Sequence, residues 1–217
     1  MAVRPVFIPS PISPDGIMTV YVNFAFNSGF SKTQKQKNVA AIHYAFANSP
    51  FGKGKKIIEI SSKSTVPEGV QLSAFNLKME VPEIGPTPVE CVFQGGKAFA
   101  NGGPYTDLYL ASPKEAKRDA RLRESGKLVS FRFDGKDFPL EPKTGFYDYL
   151  YITALLQNPE LAEFVAQYDA FTDVEFIPKK SINCQAKACA LYKSLLIRGG
   201  EDAVRKYLEE REKTASE

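Results

Sequence analysis

Val89-Glu90-Cys91-Val92-Phe93-Gln94-Gly95-Gly96-Lys97-Ala98-Phe99 is the stretch of this chain with the most chemical content. Read as a helix, it sets Glu90, Gln94 and Lys97 at i, i+4 and i+7 on one face, while Val92, Phe93 and Phe99 serve the other sides. An acid and an amine then share a face. In so apolar a segment a polar stripe either looks into solvent or lines a pocket, and only the second arrangement makes it chemistry. Gly95 and Gly96 remove side chains between Gln94 and Lys97, which admits either a ligand or a tightly packed neighbouring element.

Upstream, Gly85 with Pro82, Pro86 and Pro88 stops any helix and brings the chain into this stretch in extended form. Met18 to Phe26 is β-branched and aromatic enough for a strand; Gly29 and Ser31 punctuate it before a helix through about Phe46, and Lys56 to Ile60 reads as a further strand. Downstream, Ser112-Pro113-Lys114-Glu115 is a helix N-terminus, with Ser112 as cap, Pro113 in the first turn and Glu115 three residues on, and the helix is expected to reach about Gly126. Asp134-Gly135 marks a tight hairpin turn between Phe131 to Phe133 and Phe138. Thr144 to Leu156 spaces Phe146, Tyr147, Leu150, Tyr151 and Ala154 as a core helix face, and Asn158-Pro159 restarts a helix to about Gln167. Phe171 to Pro178 is extended, Ser181 to Ile197 is a last packed helix closed by Gly199-Gly200, and the charged remainder, 201–217, is expected to form a surface helix that frays into a disordered tail. Residues 1–17 are expected to be peripheral as well.

At 217 residues, 43% hydrophobic and 24% charged, the chain fits one globular domain with a real core. No repeat or linker divides it. No apolar run reaches the length of a membrane span, and Met1-Ala2-Val3-Arg4-Pro5 lacks the apolar core of a signal peptide, so a cytoplasmic location is expected. Cys91, Cys184 and Cys189 have neither the count nor the spacing of a disulfide scaffold, and reduced, mostly buried thiols are expected. His43, the single histidine, takes a structural or surface role, which leaves acid-base work to carboxylates, lysines or tyrosines and argues against zinc sites of the His/Cys type. Walker and Rossmann phosphate loops are missing, because Gly95-Gly96 and Gly102-Gly103 do not stand between a strand and a helix. The net charge is only +3, yet the basic residues cluster, most densely at Lys114, Lys117, Arg118, Arg121 and Arg123, and such clusters serve either as solvated surface or as phosphate contacts.

Glu90, Gln94 and Lys97, followed by Ser112-Pro113-Lys114-Glu115-Ala116 and Ala120-Arg121, resemble the core signature of the NADAR family, a Glu-His-x-x-x-Gln-x-x-Lys-Phe helix followed by a Pro-x-x-Ala helix ending in Gly-Arg. Leu72-Ser73-Ala74-Phe75 looks like that family's Phe-Ser-Asn-Phe segment, and Asn158-Pro159-Glu160-Leu161, Asp169-Ala170-Phe171 and Asn183 look like its C-terminal landmarks. Glu59 to Ser64, Gly103 to Tyr109 and Lys179 to Ala186 resemble the branch found as antitoxins beside DarT-type DNA ADP-ribosyltransferase toxins. The chain departs from the pattern at Cys91 for His, Ala74 for Asn and Ala120 for Gly, and it has no tryptophan, so the substrate of the riboflavin-pathway members is not carried over.

The resemblance implies an α+β, mostly helical fold with a small β component, and an N-glycosidase that removes ADP-ribose from guanine bases of DNA with no cofactor. It places Glu90 and Lys97 at the reacting ribose, with Asp169 as a second acid. Gln94, Ser73, Phe75, Arg121 and Asn183 would bind or shape the substrate, and Phe138 and Phe171 would stack on it. Its partners are then ADP-ribose, ADP-ribosylated DNA and a cognate toxin.

Cleavage at the anomeric carbon builds positive charge that a carboxylate stabilises, and a neutral lysine could alternatively form a Schiff base on the opened ribose. For that, Lys97 must be partly buried, which Phe93 and Phe99 could provide. A small-molecule N-glycosidase and a non-enzymatic antitoxin that binds its partner are the alternatives.

Overall fold

The computed structural model describes residues 1–215. Its elements run β1 (Ala2–Pro9), β2 (Ile17–Phe24), α1 (Lys32–Ala47), β3 (Ile57–Glu59), α2 (Pro67–Gln71), β4 (Lys78–Val81), β5 (Gly85–Pro88), α3 (Val89–Gly95) and β6 (Lys97–Phe99). A 3-10 turn at Thr106–Leu110 precedes α4 (Pro113–Arg118), α5 (Arg121–Glu124), β7 (Leu128–Phe133), β8 (Lys136–Phe138), α6 (Gly145–Leu156), α7 (Pro159–Ala166), β9 (Ala170–Thr172) and α8 (Gln185–Lys213). Helix outweighs strand, 43% against 20%, and the strands gather in small sheets, so the chain is α+β. It divides into two compact units, Met1–Ser73 with Pro159–Val204 and Ala74–Asn158 with Arg205–Glu217.

The first unit is built on a sheet of order β2-β1-β9-β3. β1 and β2 pair antiparallel from Ala2↔Phe24 to Pro9↔Ile17, and β9 joins β1 through Phe7↔Phe171 and runs parallel to β3. With strands on both sides, β1 is interior, and Val6, Phe7 and Ile8 are buried. The expectation that residues 1–17 are peripheral is therefore corrected: the run Pro5-Val6-Phe7-Ile8 is the apolar stretch of a central strand. α1 starts where Ser31 Oγ accepts the Gln34 amide at 3.2 Å, and it lays Val39, Ile42 and Phe46 against Val6, Ile8, Val22 and Phe24.

In the second unit the β4–β5 hairpin brings the chain into α3, which refines the extended approach read from the prolines. β6, β7 and β8 form a three-stranded antiparallel sheet, and Asp134 and Gly135 turn it with φ of 49° and 73°, as a type I′ hairpin requires. Every residue from Gly145 to Ile152 of α6 is buried. Its Phe146 stacks on Phe131 with centroids 4.7 Å apart, and Tyr147 meets Phe93 edge-on at 5.3 Å.

Three boundaries differ from expectation. The helix that starts at Pro113 does not reach Gly126: Asp119, at ψ 130°, breaks it, and its carboxylate accepts the backbone and Nε protons of Arg121. The last helix starts at Gln185 rather than Ser181, since the amides of Lys180 and Ser181 both fold back to the Ile177 carbonyl. Gly199 and Gly200 kink α8 rather than end it, with Gly200 at φ 65° and ψ −154°, a conformation that favours glycine. The helix then continues to Lys213. The helix expected after residue 201 is there as the far arm of α8, and it is tied down rather than frayed as far as Glu212, because Val204 is fully buried and Glu212 accepts from Tyr149 Oη at 2.7 Å and pairs with Lys136 at 3.1 Å. The last two residues of that tail, 216–217, lie outside the described residues.

Candidate functional site

α3 is short and entirely buried, entered through Pro88 and capped by Gly96. Lys97 is not on the helix, as the sequence had suggested; it opens β6, paired with Phe131. The two glycines explain the change. A Cβ on Gly95 would lie 2.6 Å from the Tyr109 ring, and one on Gly96 2.9 Å from the Arg132 carbonyl, so the chain's own elements pack onto them and no ligand fills that space.

Although the helix ends early, the stripe survives as a chain of contacts. Gln94 Nε2 donates to Glu90 Oε1 at 2.9 Å, and Lys97 Nζ donates to Gln94 Oε1 at 2.6 Å. Only one amide orientation fits, with nitrogen toward the acid and oxygen toward the amine. Glu90 and Gln94 are each 6% exposed. Lys97 Nζ also sits 4.8 Å from the Phe93 ring centre.

This environment reshapes the amine. Burial lowers the Lys97 pKa to about 8, helped by Lys117 and opposed by Glu90. At pH 7 about one amine in ten is then neutral, against about three in ten thousand for an ordinary lysine. The site thus holds a carboxylate and a partly neutral amine bridged by one amide.

Lys117, in α4, is the residue that sequence reasoning left among the surface cations. Its Nζ lies 3.4 Å from Glu90 Oε1 and over the half-buried Phe75 ring, 5.4 Å from the centroid. The signal that could have found it is its neighbour Ala116, which is fully buried and packs with Cys91 and Leu108, fixing α4 against α3 one residue from Glu90. Cys91 itself is an inert packing group: its Sγ donates to the Ala111 carbonyl at 3.2 Å, and burial together with Glu90 pushes its pKa up to about 11.

Arg121 is committed elsewhere. Its guanidinium donates to both Asp107 oxygens at 3.2 and 2.6 Å and to both Asp119 oxygens at 2.9 Å, and it lies 4.4 Å from the Tyr105 ring centre. It clamps the 3-10 turn to the α4–α5 corner rather than presenting a free cation. Phe138 is also corrected as a stacking residue: it is 3% exposed and packed between Phe146 and Tyr149, with centroids at 5.0 and 4.9 Å.

The remaining expected residues belong to the first unit. Phe171 is fully buried in the central sheet, so it too is core and presents no face to a substrate. Asp169 Oδ2 accepts the Lys56 amide at 2.9 Å and its Oδ1 lies 3.8 Å from Lys193 Nζ, which pins the start of β9. Asn183 is half-buried and holds its Oδ1 without a hydrogen-bond partner among the described residues. Ser73 is buried at 4% exposure. His43 has the structural role: its Nε2 meets Thr172 Oγ1 at 2.9 Å, and burial holds its pKa down at about 4. The three cysteines are free and buried.

In this α+β chain a buried helix thus sets an acid and an amide in line with an amine on the strand that follows it. The chain belongs to the DarT1-associated NADAR antitoxins, whose family description matches residues 2–215. No curated protein matches it significantly. Among the described residues no helix is long and apolar enough to cross a membrane.

Proposed function

We propose that this antitoxin is an ADP-ribosyl hydrolase that removes ADP-ribose from guanine bases of DNA and so reverses a DarT-type toxin. The observation that carries the reading is the Glu90–Gln94–Lys97 chain, with its amine lowered to about 8. The ribose C1–O4 bond opens as the ring oxygen takes up a proton, neutral Lys97 adds to C1 of the resulting iminium, and the C1 bond to the base nitrogen then breaks with its electron pair leaving on guanine. The Glu90 carboxylate takes the proton that the adding amine sheds and passes it to the departing guanine nitrogen. Water then adds to the imine, releasing ADP-ribose and restoring the amine, so that the net reaction consumes one water.

Membership in the antitoxin family supports the toxin-linked role, and the exposed basic residues near the site suit a phosphate-bearing substrate. The test combines two readouts on ADP-ribosylated guanine DNA. Release of free ADP-ribose should be lost in Lys97→Ala and strongly reduced in Glu90→Gln. Borohydride added during turnover should fix ADP-ribose to Lys97, visible as a mass increase on its peptide. Rescue of toxin-expressing cells by both variants at the wild-type level would sink the catalytic reading in favour of sequestration.

A further inference from the structure

Glu90 is a buried carboxylate, and two of its polar neighbours, Gln94 and Lys117, address the same oxygen, Oε1. They are unlike in mobility. Gln94 is 6% exposed and locked between Glu90 and Lys97, whereas the Lys117 side chain is 57% exposed on a flexible four-carbon stem. At 3.4 Å its ammonium is in contact with the acid without a short hydrogen bond, and its other support is the Phe75 face. The neighbouring arginine, Arg121, has its guanidinium occupied by two carboxylates. Lys117 is thus the cation beside the acid that can move at little cost.

We propose that Lys117 is a removable counter-ion of Glu90 and the anion-binding residue of the site: it pairs with the carboxylate in the free protein and transfers to the diphosphate of an ADP-ribosyl ligand. This rests on the hydrolase reading and adds to it an order of events. Binding of the diphosphate draws the ammonium off Oε1 and leaves the Glu90 charge to the reacting sugar, so the acid is uncovered only when a phosphate-bearing ligand is seated. A riboside without phosphates leaves the Lys117–Glu90 pair in place.

The test is calorimetric binding of ADP-ribose to the full chain at several salt concentrations. Lys117→Met should bind about tenfold more weakly with a flatter salt dependence, since one charge-assisted contact is lost, and Lys117→Arg should recover to within about threefold of wild type. Glu90→Gln should bind ADP-ribose more tightly than wild type, because the ammonium no longer has to leave an acid; a static ion pair gives no such gain. Unchanged affinity in Lys117→Met, or weaker binding in Glu90→Gln, overturns the proposal alone when wild type binds ADP-ribose and Lys97 is trapped by borohydride. Failure of wild type to bind ADP-ribose overturns it together with the hydrolase reading.

Discussion

Replacing Lys97 with methionine should stabilise the protein at neutral pH. The amine's pKa falls from 10.5 to about 8 on folding, so below pH 8 the chain holds a charge that the folded state disfavours relative to the unfolded one. That depression corresponds to roughly 3 kcal/mol. Methionine keeps the stem volume and removes the charge, but it leaves Gln94 Oε1 without its donor, which costs on the order of 1 to 2 kcal/mol. The net gain expected at pH 7 is about 1 to 2 kcal/mol. Its sign and window follow from linkage: between pH 8 and pH 10.5 the unfolded wild type binds the extra proton, wild-type stability rises with pH, and the advantage of Lys97→Met disappears. Urea unfolding of both proteins at pH 7 and pH 10 measures it. A variant that is less stable than wild type at pH 7, by a margin that does not change with pH, would refute the account of Lys97 as a buried amine held at a cost for chemistry.

Gly95→Ala should destabilise by about 1 to 3 kcal/mol, read by thermal or urea melts, because its Cβ would fall 2.6 Å from the Tyr109 ring and 2.8 Å from the Tyr105 carbonyl. Phe138→Ala should cost about 3 to 5 kcal/mol of stability and leave the ADP-ribose affinity of the surviving folded protein near wild type, as expected for a core ring. Asp173, whose pKa is raised to about 8 by burial and by Glu59, makes stability fall as pH rises from about 4 to about 8, and Asp173→Asn should flatten that slope in melts taken across the range.

What was legible in the sequence followed local rules. Ser112-Pro113-Lys114-Glu115 announced a capping box, and Ser112 and Glu115 form it; Asp134-Gly135 announced a hairpin, and the positive φ pair is there. The polar stripe was legible for a partly mistaken reason. Spacing along an imagined helix put Lys97 beside Gln94, whereas the real chain leaves the helix at Gly96 and the long lysine reaches back from a strand. Aromatic residues were the least readable, since Phe138 and Phe171 carry no local mark that separates a ring in the core from one offered to a ligand. Lys117 was hidden for a related reason: a lysine among lysines reads as surface until the buried Ala116 beside it fixes where the helix docks.

The pairing of β1 with β9 has a consequence for how the protein is made. Phe7 finds its partner Phe171 only once the chain through β9 has left the ribosome, and the first unit cannot close until Pro159–Val204 has been synthesised. Until then the β1–β2 ribbon waits with an open edge bearing Val6, Phe7 and Ile8. Synthesis stalled before β9 should therefore leave fragments whose apolar strand edge is open to association with other chains.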